Sequence, residues 1–304
     1  MLLFDREILR ARRERAARDW DTASFLKREI SQRLVERLDD IRRSFAVAVD
    51  LGCHGGEIAA ALALPGGGSR GDVRSLLQID LAEGFARRAA RFGPAIVADE
   101  ETPPLAIGSC DLILSAMALH WVNDLPGLLT LCRRALRPDG LFLVAMLGGE
   151  TLWQLRQCLA QAESDVESGL SPRVSPFADL RDAAGLLQRA GFALPVADSE
   201  TITVDYPDPL ALMRDLRAMG ESNAILGRRP TLARRATLTR GAAIYTERFG
   251  NATGRVPATF EVLYLHGWAP HDSQQKPLRP GSASSRLADA LQTVERPAGE
   301  KAGR

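Results

Sequence analysis

Three acidic residues each stand at the carboxyl end of a short apolar segment. They are Asp50, Asp80 and Asp99. If those segments are neighbouring parallel strands, the three carboxylates line one crevice at the edge of a sheet. The second could accept both hydroxyls of a ribose, and the third could accept an exocyclic N–H of adenine. Each residue alone is more typical of a helix cap or a solvated turn, but the three together predict a nucleoside-binding crevice.

The first acidic residue leads into a glycine loop, Gly52-Cys-His-Gly-Gly56. Glycines let the backbone approach a ligand closely, and the N–H groups of the following helix face that ligand. The loop lacks both the G-x-G-x-x-G pattern of dinucleotide sites and a Walker lysine. Asp50 would repel a phosphate, whereas it suits a cationic sulfonium that carries an α-amino group. The loop therefore indicates S-adenosylmethionine.

A second group of residues could act on a substrate. His120 and Trp121 follow the fourth predicted strand, where the imidazole could act as a general base and the indole could cover a cation. The alternative is a histidine that caps a helix and a tryptophan that packs at the sheet edge. We expect the neighbouring Asn123 to cap the helix that begins at Asp124.

Glu221 and Asn223 lie in the segment Gly220-Glu-Ser-Asn223, between two predicted late helices. Their side chains could hold a guanidinium group or a peptide backbone. The alternative is a helix that ends at Gly220 and continues into a polar turn.

The sequence predicts no metal site. The four histidines include no H-x-D/E pair that would start a two-histidine, one-carboxylate site, and the four cysteines have neither zinc nor iron–sulfur spacing. Free thiols in a reducing compartment are the expected state of those cysteines.

Alternating strands and helices must position these residues. Apolar segments near 45–51, 75–79, 95–98, 111–115, 141–147, 202–206 and 260–265 predict strands. Helical patterns lie between and around them, near 5–19, 22–43, 57–64, 82–91, 124–136, 151–165, 178–190, 209–219 and 232–249. This order predicts βαβ units and a mostly parallel sheet.

Composition narrows the classes of protein and partner. The chain has 304 residues, 45% of them hydrophobic, and 39 basic against 38 acidic residues, which gives a net charge of +1. That balance offers nucleic acid no overall attraction. No apolar stretch is long enough to span a bilayer. We therefore expect a cytoplasmic protein, with a peripheral position at the inner membrane face as an alternative.

Several motifs together resemble a known family. The segments 49–53, 98–100 and 136–140, with Asp80, resemble the successive motifs of class I methyltransferases over residues 45–150. Further segments resemble the mitochondrial complex I assembly factors of the arginine-hydroxylase type and their alphaproteobacterial relatives: 119–126, 148–152, 171–177, 219–223 and 256–260 followed by Gly267-Trp268. The malonyl-acyl-carrier-protein methyltransferase of biotin synthesis is similar at a greater distance.

The resemblance implies a Rossmann-like α/β fold, with a seven-stranded, mostly parallel sheet and helices on both faces. An N-terminal helical segment would span residues 1–44, and a methyltransferase domain would span 45–269 with a helical lid near 208–250. A flexible tail would follow over 270–304.

The resemblance also implies roles for individual residues, with S-adenosyl-L-methionine as the cofactor. His120 and Trp121 would be catalytic, and Glu221 and Asn223 would contact the substrate. His54 replaces the middle glycine of the family loop, so we expect it to limit the pocket near the methionine end. The implied cofactor contacts are Asp50, Gly52, Cys53, Gly56, Asp80, Leu81, Asp99, Glu100 and Ser115.

The expected function follows from the same resemblance. It is modification of a protein side chain, a complex I subunit in that family, by hydroxylation or methylation. Two alternatives stay open: O-methylation of a carrier-bound or small-molecule acid, and a non-catalytic assembly chaperone. The oligomeric state is left undecided.

Overall fold

The computed structural model describes residues 2–167, 169–275 and 287–294. Residues up to Pro270 form one compact unit, and those from His271 onward form a second, in which a short helix spans Leu287–Ala290. Most of the predicted tail, residues 270–304, lies outside the described residues.

A single sheet forms the centre of the first unit. Its strand order is β3-β2-β1-β4-β5-β7-β6. The first five strands are parallel, and β7 runs antiparallel to both of its neighbours. This topology confirms the predicted Rossmann-like α/β fold. The strands are β1 (Val47–Leu51), β2 (Ser75–Asp80), β3 (Ala95–Val97), β4 (Cys110–Ala116), β5 (Leu136–Leu147), β6 (Ala193–Tyr206) and β7 (Val256–Trp268).

Helices cover both faces of the sheet because its central strands are apolar on both sides. One apolar layer includes residues of α2, α3, α4, α7, α9 and α10, and the other includes residues of α6 and α8. The helices are α1 (Arg6–Ala16), α2 (Trp20–Ala23), α3 (Phe25–Glu36), α4 (Glu57–Leu62), α5 (Glu83–Ala89), α6 (Leu125–Ala135), α7 (Trp153–Glu167), α8 (Leu180–Arg189), α9 (Pro209–Ala218) and α10 (Arg235–Phe249).

Three strands, β5, β6 and β7, are longer than the sequence pattern predicts; β7 extends beyond the predicted 260–265 at both ends. β6 begins at Ala193, although the apolar pattern begins only at Ile202. It is an edge strand whose first half contains Pro195 and several polar residues, and pairing with β7 holds that half extended. β5 begins at Leu136, before the predicted strand near 141–147, and its pairing with β4 is irregular over residues 137–140, where Asp139 has φ +63°.

The N-terminal segment is fastened across the carboxyl edge of the sheet. Phe4 pairs with Ile225 in an isolated antiparallel bridge, and the Asp5 N–H donates to the Ala224 carbonyl at 2.8 Å. The segment that follows α9 is therefore joined to the start of the chain.

Asn123 contributes to this fastening, and the prediction that it caps α6 is wrong. Its Oδ1 accepts hydrogen bonds from the backbone N–H groups of Leu3 and Phe4, both at 2.7 Å. The α6 cap is Asp124, whose carboxylate accepts from the Gly127 N–H at 2.9 Å. The carboxylate one position later caps the helix, and the Asn123 amide bonds to the N-terminal segment instead.

We expect Asn123→Ala to lower the free energy of unfolding by about 1–3 kcal/mol, because two partly buried N–H groups lose their acceptor. Urea denaturation followed by tryptophan fluorescence measures this. Thr130→Ala, an exposed change on α6, serves as the control and should stay within about 0.5 kcal/mol of the parent. Equal midpoints for the two variants would contradict the role of Asn123.

Candidate active site

The glycine loop joins the ends of three strands. The N–H groups of Gly52 and Cys53 both donate to the Ile79 carbonyl at the end of β2, at 2.8 and 3.0 Å. Gly52 has φ +71°, and a Cβ placed there would come within 2.2 Å of the Ala118 Cβ, beyond the end of β4. Only glycine allows this approach. The loop thereby holds β1, β2 and β4 around one crevice.

Two of the predicted carboxylates are fully buried in this crevice. The Asp80 carboxylate accepts the backbone N–H groups of His54 and Ala82, at 3.0 and 2.9 Å. Neither oxygen of Asp50 receives a hydrogen bond from the part of the chain that the structure describes. Burial raises the pKa of Asp50 to about 7, with the nearby Lys27 opposing that rise.

An unpartnered buried carboxylate is costly unless a ligand satisfies it. The cationic methionine end of S-adenosylmethionine provides a sulfonium and an ammonium group, which are the charges that the Asp50 carboxylate lacks. The chemistry of these residues therefore fits the cofactor. That Asp50 faces its positive charge, and that Asp80 at the end of β2 binds its ribose, stay predictions.

Two arginines of α1 form ion pairs with the outer carboxylates of the crevice, which are Asp99 and Glu100 after β3. Arg13 is 2% exposed and donates to Glu100 at 2.7 Å, and its guanidinium lies 3.9 Å from Asp80. Arg6 pairs with Asp99 and with the second oxygen of Glu100. Burial opposes ionisation of Glu100, but the two arginines outweigh burial and hold its pKa below its usual range.

These arginines were missed by sequence reasoning, which assigned residues 5–19 to a solvated helix face. The spacing of Arg6, Leu9 and Arg13 was the available signal, because positions i, i+3 and i+7 share one face of a helix. Leu9 is fully buried. The face that carries both arginines is therefore the buried one.

Three other residues that were predicted to contact the cofactor are buried within the protein: Ser115, Cys53 and Leu81. The Ser115 hydroxyl donates to the Leu51 carbonyl at 2.6 Å and links β4 to β1. Burial raises the pKa of the Cys53 thiol well above its usual value. Leu81 packs in an apolar cluster that contains Trp121. Direct contact of these three with the cofactor stays a prediction, as does that of Gly56, which precedes α4 at φ +89°.

His54 points into the protein. It has φ +48°, and its ring stacks on Trp20 with centroids 5.3 Å apart and lies 4.8 Å from Phe85. Burial and the neighbouring Lys27 hold the pKa of His54 well below its usual value, so it is neutral at pH 7. Whether this ring crowds the methionine end of the pocket stays a prediction.

The structure brings three predicted residues together on the substrate side. A 3₁₀ turn after β4 carries His120 and Trp121, and Glu221 follows α9. One Glu221 oxygen, Oε2, contacts His120 Nε2 at 3.0 Å and accepts from Trp121 Nε1 at 2.9 Å. Because a carboxylate can only accept here, we assign the imidazole proton to Nε2. His120 Nδ1 is then a buried lone pair with no hydrogen-bond donor among the described residues.

Asn223 supports the turn in which it lies. Its Oδ1 accepts from the Ile225 N–H at 2.9 Å, and its Nδ2 donates to the Pro172 carbonyl at 2.6 Å. These bonds join the turn to the loop 171–177. Contact of Asn223 with a substrate stays a prediction.

An apolar cavity of about 140 Å³ lies beside Glu221. Most of its wall is aliphatic, aromatic or thioether, and its polar groups are few. Among its lining residues are Met117, Trp121, Leu147, Leu155, Met213, Met219, Phe260, Arg173, Ser175, Glu221 and Asn223.

Neither a metal cluster nor a membrane helix is present in residues 2–167, 169–275 and 287–294. No group of three or more His, Cys, Asp or Glu side chains there could hold a metal ion. No helix in those ranges combines the length and the apolar character needed to cross a bilayer.

We expect Asp80→Ala to weaken S-adenosylmethionine binding about ten- to a hundredfold, because a charge-assisted hydrogen bond to the ribose is lost. Isothermal titration calorimetry measures this. Asp80→Asn removes the charge but keeps an acceptor for one of the two backbone N–H groups, so it disturbs the loop less than alanine does. The exposed Asp165→Ala is the control. An unchanged affinity in folded Asp80→Ala would contradict the assignment.

Affinity for the cofactor should depend on pH through Asp50. Since the carboxyl group becomes anionic only as the pH approaches about 7, affinity for the cationic ligand should rise between pH 5 and 7, by up to about tenfold per unit. Asp50→Asn should flatten that profile and lower the affinity at pH 7. A profile that is equally steep in both proteins would rule out Asp50 as the group responsible.

Comparisons with known proteins agree with this geometry. A family model described as a methyltransferase domain matches residues 49–144. The arginine-hydroxylase NDUFAF5 of Danio rerio is 41% identical over 294 residues, which cover 95% of this chain and 89% of that protein. The malonyl-[acyl-carrier protein] O-methyltransferase of a Methylovorus species is 38% identical over 280 residues, which cover 88% of this chain and 90% of that protein.

A solved structure shares the fold. The YcgJ protein of Bacillus subtilis superposes with a TM-score of 0.54 at 14% identity, over 78% of this chain and 98% of that one. This likeness supports the architecture alone.

One expectation is overturned by the relatives. The Danio rerio protein, which matches over nearly the whole chain, is mitochondrial. The prediction of a cytoplasmic location is therefore wrong. It rested on composition and on the length of the apolar stretches, neither of which determines where a fold is used.

The identity over most of the chain, the matched domain and the fitting crevice lead to one conclusion: the chain belongs to the class I S-adenosylmethionine-dependent methyltransferases, in the group that includes the NDUFAF5 arginine-hydroxylases.

Proposed function

We propose that this enzyme modifies an arginine side chain of a protein, a subunit of respiratory complex I, in the cavity beside Glu221. The observation that carries the proposal is the Glu221 carboxylate, which two ring N–H groups hold in the lining of an apolar cavity. The name of the Danio rerio relative supports arginine as the target.

The cavity suits a cation with an aliphatic stem. Oε2 of Glu221 is held by His120 and Trp121, and Oε1 takes no hydrogen bond from the described residues. That second oxygen can accept a guanidinium N–H, and the apolar walls can pack against the methylene groups of an arginine. The Trp121 ring can add a cation–π contact, worth about 1–2 kcal/mol in a desolvated site.

His120 can serve as the proton acceptor. Its Nε2 proton is held by Glu221, which leaves the Nδ1 lone pair for a substrate proton. Glu221 then has two tasks: it fixes the histidine tautomer through Oε2, and it positions the substrate through Oε1. S-adenosylmethionine, when bound, supplies an electrophilic methyl group, and Asp50, Asp80 and the glycine loop are the residues that would hold it.

A second candidate is O-methylation of a carrier-bound acid. The Methylovorus relative favours it, as does Arg173, whose cation lines the same cavity and is paired with Glu163. A carboxylate substrate would compete with Glu163 for that arginine.

Intact-mass and peptide spectra of complex I subunits distinguish these functions. We expect cells that lack this protein to lose one arginine modification, which the parent gene restores. A gain of one oxygen identifies hydroxylation, and a gain of CH₂ identifies methylation. A methyl ester on a malonyl carrier protein instead would support the second candidate. Unchanged subunits with failed assembly would support a non-catalytic chaperone.

Glu221→Gln should reduce that modification by about tenfold or more and leave cofactor affinity unchanged, because one charged hydrogen bond to the substrate is lost. His120→Ala should have the same pattern. Glu247→Gln, on α10, is the matched control. Loss of cofactor affinity in Glu221→Gln would show that the residue belongs to the cofactor crevice instead.

A further inference from the structure

A second cavity lies next to the one that contains Glu221. Its volume is about 440 Å³, and it reaches the surface, because Pro172 and Pro176 in its lining are exposed. We call it the surface cavity. The two cavities have three lining residues in common, all in the loop 171–177: Arg173, Val174 and Phe177. The surface cavity is therefore adjacent to the place where the target arginine is proposed to bind.

Arg156 gives the surface cavity a positive charge that no carboxylate of the described chain balances. It lies on α7 and is half-buried. The acceptors that its guanidinium group reaches are three backbone carbonyls, at 3.2 to 3.5 Å, those of Gly149, Thr151 and Ser175. These bonds are longer than the ~2.8 Å typical of a guanidinium bound to a carboxylate. Neutral acceptors thus position the cation, and its charge is left for an anion.

The other arginine of the surface cavity is already neutralised. Arg173 donates from Nε and Nη2 to the two oxygens of Glu163, at 3.0 and 2.9 Å. None of the described residues that line the surface cavity is acidic, and much of its lining is apolar, including Ala160 and Phe177. Such a lining suits a carboxylate that is carried on a partly apolar chain.

The contacts of Arg156 also place it close to the substrate side. Ser175, whose carbonyl accepts from Arg156, lies in the lining of the cavity beside Glu221. One residue of the loop 171–177 therefore contacts the cation and borders the neighbouring cavity. A chain that entered both cavities would need two side chains of opposite charge a short distance apart.

We propose that Arg156 binds an acidic side chain of the substrate protein, near in sequence to the arginine that enters the cavity beside Glu221. This inference rests on the proposed function. A carboxylate of the enzyme then holds the cation of the substrate, and a cation of the enzyme holds its anion. The substrate class is a protein segment in which an arginine and an acidic residue are close neighbours.

Peptides that vary at two positions test the two proposals separately. Each peptide has arginine or leucine at its centre, and glutamate or glutamine at one flanking position that is moved along the series. Calorimetric titration of the full chain, with S-adenosylhomocysteine present to prevent turnover, gives their affinities. At one flanking position we expect glutamate to bind about tenfold tighter than glutamine, with either residue at the centre.

The two exchanges have separate consequences. Equal affinity for the arginine and leucine peptides would contradict the proposed function and leave the glutamate preference to be judged by itself. Equal affinity for the glutamate and glutamine peptides at every flanking position, or no measurable binding of any peptide, would overturn the role of Arg156.

Arg156→Gln should remove the glutamate preference, while the affinity for the glutamine peptides stays within about threefold. Arg156→Lys keeps the charge and should retain part of the preference. Arg189→Gln, an exposed change on α8, controls for the loss of one positive charge. A preference that persists in Arg156→Gln would contradict the assignment. An equal loss for glutamate and glutamine peptides would mean that Arg156 only supports the loop 171–177.

A malonyl carrier protein is the competing partner, because its carboxylate could bind the same cation. The same titrations are therefore made with that protein. Binding of the carrier protein that depends on Arg156, without a glutamate preference among the peptides, would overturn the proposal and assign the surface cavity to the second candidate function.

Discussion

Buried negative charge at the carboxyl edge of the sheet is the constraint on which the site depends. Asp50, Asp80 and Glu100 are all fully buried within a few residues of strand ends. Carboxylates in such surroundings require hydrogen bonds or cations, because desolvation otherwise neutralises them. The parallel strands place these groups side by side, so each one also increases the cost of ionising the others.

The N-terminal helices supply the cations. Arg6 and Arg13 extend from α1 to the outer carboxylates, and Lys27 extends from α3 to the glycine loop. Breaking any of these pairs would leave a buried charge alone, which is far more destabilising than losing a surface ion pair. The first helices are thus electrostatically part of the cofactor crevice, although they lie outside the segment that the methyltransferase domain model matches.

The same helices connect the cofactor crevice to the substrate cavity. The start of the chain pairs with the segment after α9, and Phe4 packs edge-on against Trp121 at 5.2 Å. Glu221, from that later segment, holds the indole and the imidazole of the turn after β4. A shift of the first few residues would therefore move Glu221 relative to His120, so the two parts of the site share one support.

Most of the sheet, and the carboxylates at its carboxyl edge, could be predicted from the sequence. Local signals were sufficient there: apolar strands bury both faces, glycines with positive φ mark the loop after β1, and acidic residues follow the strand ends. The same local patterns predicted a solvated α1 and a capping role for Asn123. A sequence shows which side chains can form hydrogen bonds, but it does not show which partners they meet. The pairing of Arg13 with Glu100, of Lys27 with Gly52, and of Glu221 with His120 and Trp121 is visible only in the folded chain. Each of these pairs spans many residues of chain, and a long-range contact between charged groups is selected by the burial of both partners, which exists only after the sheet and its helices have packed.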